Sequence, residues 1–331
     1  MRRIIGLVLM GLAGFLLTTA LLAMMFIPGR VKVTPLDTDS YTRLSGTSTA
    51  LPSGEGAPLK ATSHTVADGQ ASDGDVVVFD TFTCLIKDPD GNAPDCVDAE
   101  DADDRLVNAS TDRFATDRRT GMAVNDEKYI GDAEPHDGLV NKFPFGVEQK
   151  AYPFWDGILG RTVDAEFQGE EEINGFNTYK FVYDVKDEPA EISNGIQGTY
   201  SMTKTMWADP VTGALIKQNQ KERRVLENGD PVLDMDLTFT DETVQANVDS
   251  SEANASKLGI VDKLPLIAGL LGLLALVGGV LLWRGAQRDR HEPVDAGRAD
   301  DDRSYRSDDT SEIHVFGDDE PATRRSDIHR S

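Results

Sequence analysis

Tyr179-Lys180-Phe181-Val182-Tyr183-Asp184-Val185-Lys186 alternates large apolar residues with mostly charged ones, so Tyr179, Phe181, Tyr183 and Val185 fall on one side of an extended chain. A period of two is the mark of a strand with one covered face. Tyr200, Met202 and Met206 repeat the pattern ahead of Trp207-Ala208-Asp209-Pro210-Val211-Thr212-Gly213, where Asp-Pro opens a turn and Gly213 closes it. Ala214 to Lys221 then returns as a strand, and a second hairpin turns at Asn228-Gly229-Asp230 between Arg223-Arg224-Val225-Leu226 and Val232 to Phe239. Successive hairpins over 163–239 predict an antiparallel meander with one oily face. That face must be covered by a helix, a second sheet or a ligand.

Upstream the signals weaken. Val76 to Phe79 and Thr81 to Ile86 are β-branched and aromatic and run into a Pro89-Asp90-Gly91 turn. Leu106-Val107, Phe114-Ala115 and Met122 to Val124 read as brief strands of an exposed sheet. Residues 28–72 are rich in Thr, Ser, Gly and Pro and read as a flexible lead-in, with one edge strand near Tyr41. The folded domain is expected over 73–250, with a linker at 251–263. Asp88, Asp90 and Asn92 have EF-hand spacing, yet Ala93 stands where the loop glycine belongs and Ala99 where the bidentate Glu belongs, so 95–104 reads as a solvated acidic loop and no metal site is expected.

Two apolar runs bracket this domain. Ile4 to Ile27 is 24 residues without a charge, preceded by Arg2 and Arg3. Its length exceeds the roughly 7 to 15 residues of a signal-peptide core, so an uncleaved transmembrane helix over 4–27 is expected. Leu264 to Trp283 is a second run, of 20 residues, flanked by Arg284, Arg288 and Arg290. Basic flanks at both outer ends predict a hairpin in the plasma membrane: residues 1–3 and the tail 284–331 in the cytoplasm, residues 28–263 outside it. Ala268 with Gly272, and Ala275 with Gly279, are small pairs that permit close helix approach. The tail is too polar to bury a core and is expected to be disordered.

The intervening 28–263 carries 22 Lys plus Arg against 44 Asp plus Glu, an acidic surface that argues against nucleic acid or anionic lipid headgroups as partners. Its two cysteines, Cys84 and Cys96, enclose a short turn and, outside the cytoplasm, read as a disulfide. No Gly-x-Ser-x-Gly, Walker loop, dinucleotide fingerprint or His-Glu-x-x-His is present, and 28–263 holds only His64 and His136, so a non-enzyme without cofactors is expected.

Phe143-Pro144-Phe145, Tyr152, Trp155 and Asp156, together with Gly175 to Phe181 and the Trp207 to Gly213 turn, resemble an actinobacterial family of two-span membrane proteins that also carries the name porin PorA. The resemblance covers most of residues 1–283. It implies an α+β fold, a twisted antiparallel sheet wrapped toward a helix as in periplasmic lipoprotein carriers, set between two transmembrane helices. It implies a role in the cell envelope, either handling mycolate-type lipid in envelope biogenesis or polar growth, or forming a cell-wall channel. A scaffold for membrane transport or growth machinery is the third reading. For a carrier, Phe143, Phe145, Tyr152, Trp155, Tyr179, Phe181 and Tyr183 are the candidate contacts of an envelope glycolipid. If they only fill a core, the aromatic faces have no ligand.

Overall fold

The computed structural model describes residues 1–26, 31–193 and 195–288. The alternating stretch lies in β8 (Phe176–Ser193), between β7 (Arg161–Ile173) and β9 (Ile196–Ala208), and β10 (Leu215–Leu226) and β11 (Pro231–Phe239) extend the meander. β11 then pairs with β1 (Asp39–Leu51), which carries the two-residue β2 (Gly54–Glu55) and pairs with β3 (Pro58–Ala67). β4 (Val76–Lys87) and β5 (Leu106–Asp117) complete one end, and β6 (Tyr152–Asp156) the other. Every pairing is antiparallel.

The sheet curls into a half-barrel. Register slips at Phe167/Gly169, Val185/Glu188, Leu215/Lys217 and Arg224/Val225 insert extra residues into one strand of a pair, which bends it and sharpens the twist. Between edge strands β5 and β6 runs a seam of single bridges. Val124 N–H donates to Ala115 O (2.8 Å), Ala123 N–H to Gly138 O (2.8 Å), Leu139 N–H to Pro153 O (2.8 Å), and Trp155 N–H to Leu139 O (2.7 Å). These bonds satisfy edge groups that would otherwise invite pairing with other chains.

The inward face is apolar along most of its length. Leu139, Phe143, Tyr152, Phe181, Tyr183, Met202 and Met206 form one buried cluster, and Leu44, Leu59, Leu85, Leu237 and Phe239 belong to another with Val244 and Val248 of a C-terminal helix. Short helix α2 (Glu127–Ile130), capped by the Asp126 carboxylate on Lys128 N–H, covers Val76, Val78 and Ala115.

Three expectations change. The 28–72 stretch is not a loose lead-in, since β1 and β3 within it lie near the middle of the sheet. Leu44, Leu51, Leu59 and Ala61 are its buried anchors, and the rest of its stability comes from ladders to β11 and β4, remote in sequence and invisible in a local window. The short pieces at 106–107 and 114–115 belong to one 12-residue strand. The linker expected at 251–263 is helical. Thr240 accepts from Thr243 N–H at 3.2 Å, starting α3 (Asp241–Arg288), which runs through Pro265 without interruption.

At the N-terminus α1 (Arg2–Phe26) buries Gly6, Ala13 and Ala20, one small residue every seven, a spacing that keeps a single stripe against a partner helix. The partner is α3, running antiparallel. A Cβ on Gly6 would lie 3.0 Å from Gly279 O, and one on Gly279 would lie 2.9 Å from Gly6 O. Gly272 and Gly279, each half of an expected small pair, thus serve contact within the chain. The disordered-tail expectation falls outside the described residues beyond Arg288.

Cys84 and Cys96 are joined by a disulfide with Cα atoms 5.7 Å apart. The acidic loop beyond is fastened by Asp95, which takes a bidentate pair from Arg43 (2.8 and 2.7 Å) and lies 3.0 Å from Lys60 Nζ. Hydrogen bonding from Arg43 holds the Asp95 carboxyl well below the usual carboxylate range. Among the described residues no group of three or more His, Cys, Asp or Glu is placed to hold a metal ion.

Candidate functional site

The seven aromatic candidates separate into two sets. Phe143 stacks on Phe181 (centroids 4.4 Å apart) and meets Tyr152 edge-on at 5.5 Å, while Phe154 lies 6.4 Å from Tyr183. Phe143, Tyr152, Phe181 and Tyr183 are all buried in one cluster. Edge-to-face and offset contacts of this kind add to the burial energy of the rings. The other three sit at the margins. Phe145 is half-buried with the Lys142 ammonium 3.9 Å from its ring centroid, Trp155 packs beside His136 (4.9 Å), and Tyr179 meets Phe167 edge-on (5.5 Å). The strand alternation therefore places Tyr179, Phe181 and Tyr183 on the inward face as the sequence indicated, with Phe181 and Tyr183 sealed and Tyr179 at the rim.

The chemistry on that inward face comes from residues the aromatic pattern passed over. In register, Lys204 of β9 faces Tyr183 of β8 and Gln220 of β10; Met202 faces Val185 and Glu222; Met206 faces Phe181 and Gln218. Cross-strand partners share a face. β10 therefore turns Gln218, Gln220, Glu222 and Arg224 inward, and on its far side β11 presents Leu237, Met235 and Leu233. A polar stripe crosses an otherwise apolar interior.

Most of the stripe is internally satisfied. Glu222 is buried, accepts from Arg224 Nε at 2.6 Å, and leaves Arg224 Nη1 to donate to Ile192 O at 2.9 Å. Gln218 donates to Gln220 at 3.1 Å. Asp156, also buried, accepts Tyr183 and Tyr200 hydroxyls on one oxygen (3.2 and 3.0 Å) and the Ile158 and Leu159 amides on the other (both 3.1 Å). Burial and the nearby acids push both tyrosine hydroxyls far above their ordinary range, so they remain donors.

Lys204 differs. Its ammonium lies 5.4 Å from the Tyr183 ring and 5.8 Å from Phe154, and no carboxylate among the described residues is within 4 Å. Burial lowers its pKa, while Asp156 and Glu222, beyond ion-pair distance, oppose that shift. Lys204, Gln218 and Gln220 keep partial exposure although Met202, Met206 and Tyr183 around them are buried. The signal for Lys204 was present: in Tyr200, Met202, Met206 the period of two steps over position 204, where a lysine occupies an inward site.

Two more polar features lie beside the cluster. Burial draws the Lys142 amine down to about 8, with Asp209 opposing the shift, and Lys142 Nζ donates to Thr34 Oγ1 at 3.3 Å. His136 is buried at the seam with Nε2 3.0 Å from Asp112 and Nδ1 3.0 Å from Glu134 O. Burial disfavours its charged form, but two acceptors at the two nitrogens outweigh that and raise its pKa.

Comparison with known proteins gives a concordant picture. The family model described as Porin PorA matches residues 5–281. A protein named Porin PorA from Corynebacterium amycolatum is 33% identical over 89 residues, covering 23% of this chain and 23% of that protein. Another of the same name, from Corynebacterium resistens (strain DSM 45100 / JCM 12819 / GTC 2026 / SICGH 158), is 23% identical over 287 residues, covering 56% of this chain and 69% of that protein. The chain thus spans about a quarter of the length of the first relative and about two thirds of the second.

Proposed function

Because the chain belongs to the porin PorA family, we propose that it is a non-catalytic protein of the cell envelope, held in the plasma membrane by α1 and the later part of α3, whose curled sheet binds an amphiphilic, mycolate-type envelope lipid on its inward face. The observation that carries the lipid reading is Lys204. An ammonium set among apolar side chains at the partly exposed rim of an inward face, with no carboxylate among the described residues within ion-pair distance, costs stability, and a sheet that only filled its core would gain from an apolar residue there. A ligand headgroup bearing acceptor oxygens compensates that cost, and the flanking Met202, Met206, Tyr183 and Phe154 suit an acyl chain.

The membrane reading is supported by where apolar surface is exposed. Among the described residues, apart from Met1, Val31, Tyr41, Phe82, Met122, Ile196 and Val211, every large hydrophobic residue at the surface belongs to α1 or α3. Both helices are long and apolar enough to cross a bilayer. Their antiparallel contact at Gly6 and Gly279 brings Arg2 and Arg3 to the same end of the helix pair as Trp283, and basic residues at that end favour the cytoplasmic side under the positive-inside rule. Catalysis finds little footing, since His136 has both nitrogens committed and His64 is tied to Asp39 at 2.8 Å.

The relatives' name favours a second reading, a channel. Two uniformly apolar helices enclose no water, so a conduit requires several copies. Mass spectrometry of lipids that co-purify with the full chain tests the choice. A long-chain lipid near one per chain, lost in Lys204→Met, supports the carrier. No lipid, together with ion conductance by the full chain in planar bilayers, overturns it in favour of the channel. Protease applied to intact spheroplasts is expected to spare the tail and cut the sheet domain; the reverse result would overturn the topology.

A further inference from the structure

On the outward face of the sheet, Tyr41 of β1, His64 of β3, Phe82 of β4 and Thr111 of β5 stand directly opposite one another across four strands. Tyr41 and His64 are stacked, with centroids 4.0 Å apart and planes 8° from parallel. Tyr41 is 51% exposed and Phe82 39%, two of the few large hydrophobics outside α1 and α3 that remain at the surface. Their neighbours on β4 are covered, Val76 and Val78 by α2 and Cys84 and Ile86 by the disulfide loop, which leaves the aromatic row in a gap between two covering segments. The gap is a groove of about 650 Å³ with Phe82 and Val66 on its floor and Asp132, Ala133 and Glu134 along one wall. Such a volume is in the range of binding clefts, about 300 to 1,000 Å³.

The charges in this groove are unevenly committed. Arg113 is held by Asp80 (2.7 Å) and Asp68 (3.0 Å), His64 by Asp39 (2.8 Å), and Asp112 by His136 (3.0 Å). Asp132 and Glu134 are exposed and have no cation within ion-pair distance among the described residues. An aromatic floor beside uncommitted carboxylates attracts a cation that carries apolar surface of its own, because the ring faces and the acids both favour positive charge while the stem of a Lys or Arg covers the rings. An acidic or neutral partner meets repulsion or no complement on that wall. We infer that this groove docks a basic, arginine- or lysine-bearing segment of a partner protein, with a cationic side chain laid over Phe82, beside a Tyr41 ring already covered by His64 and Arg43, and paired to Asp132 and Glu134.

The strongly acidic surface binds basic peptides weakly everywhere, so the test must separate the groove from that background. Fluorescence anisotropy of the full chain in neutral detergent, with a fluorescein-labelled decapeptide alternating Arg and Leu, provides the readout at physiological ionic strength. Saturable binding is expected, weakened at least tenfold both in Phe82→Ala and in the double variant Asp132→Asn/Glu134→Gln, and unchanged in Glu172→Gln on a different part of the surface. The double variant alters only exposed side chains, so it decides the matter even if Phe82→Ala folds poorly. Equal affinity in the double variant and the unaltered protein overturns the proposal, because the binding is then general to the acidic surface. Displacement by spermidine at concentrations equal to the peptide's also overturns it, since the site would then select small polycations over a protein segment.

Discussion

Phe143 and Gly213, 70 positions apart in the chain, share a backbone contact: Phe143 N–H donates to Gly213 O at 2.8 Å, and a Cβ on Gly213 would stand 2.0 Å from Phe143 O. Val147 and Gly146 add amide bonds to Pro210 O and Val211 O, both 2.9 Å, so the Phe-Pro-Phe segment is fastened along the Asp-Pro turn. Two of the stretches that carry the family resemblance are thereby one structural unit beside the aromatic cluster.

Gly213→Ala is expected to destabilise the protein by at least about 2 kcal/mol, because it combines a positive φ with a clash against backbone that has little room to move. Gly229→Ala has a positive φ but open space, and should cost only about 1 kcal/mol. Urea midpoints of the two variants that coincide would argue against the close approach.

Phe143→Ala removes a fully buried ring from a packed cluster and is expected to cost about 3 to 5 kcal/mol. Phe145→Ala removes a half-buried ring whose chief contact is the Lys142 ammonium, and should cost under about 1.5 kcal/mol. A reversed order in thermal or urea denaturation would show that the ring sealing the cluster is the wrong one.

The contribution of His136 to stability should fall as pH rises past the range of an ordinary histidine, against an opposite trend from the depressed Lys142 amine. His136 has a folded pKa above its unfolded value, so its contribution is complete below about 6.5 and is lost as pH climbs through the folded value. Denaturation midpoints at pH 5.5 and 8.5, roughly either side of that window, should differ more in the unaltered protein than in His136→Gln. An equal difference in both would place the pH dependence elsewhere.

Lys204→Met is expected to raise the melting temperature of lipid-free protein, because an ammonium beside the Tyr183 and Phe154 rings, with no carboxylate among the described residues in ion-pair reach, gives way to an apolar side chain of similar length. A lower melting temperature would mean that Lys204 supports the fold, and the argument for a ligand at its ammonium would fail.

Opening the Cys84–Cys96 bond should cost about 3 kcal/mol in the chain-entropy treatment of a short loop. Alkylation of the unreduced, denatured protein should label neither sulfur; two labelled thiols would exclude the bond.

Local chemistry alone determined a good deal of this protein. The two apolar runs became helices because charge-free stretches of that length have few other solutions, and Tyr179 to Val185 became a strand with Phe181 and Tyr183 inward because alternation leaves one face to bury. Cys84 and Cys96 are bonded, as a lone pair of cysteines flanking a turn predicts. The tertiary structure alone decided that β1 and β3 are central, since their Thr- and Ser-rich sequence is held by hydrogen bonds to β11 and β4 from distant parts of the chain. It alone decided that Phe143 closes a core while Phe145 lies under Lys142, because distant segments hold the two positions differently: Phe143 N–H donates to Gly213 O and Phe145 N–H to Arg119 O. The polar stripe belongs to the same class: alternation alone puts Lys204 on the face of Tyr200, Met202 and Met206, but only strand register sets Gln218 to Arg224 beside it.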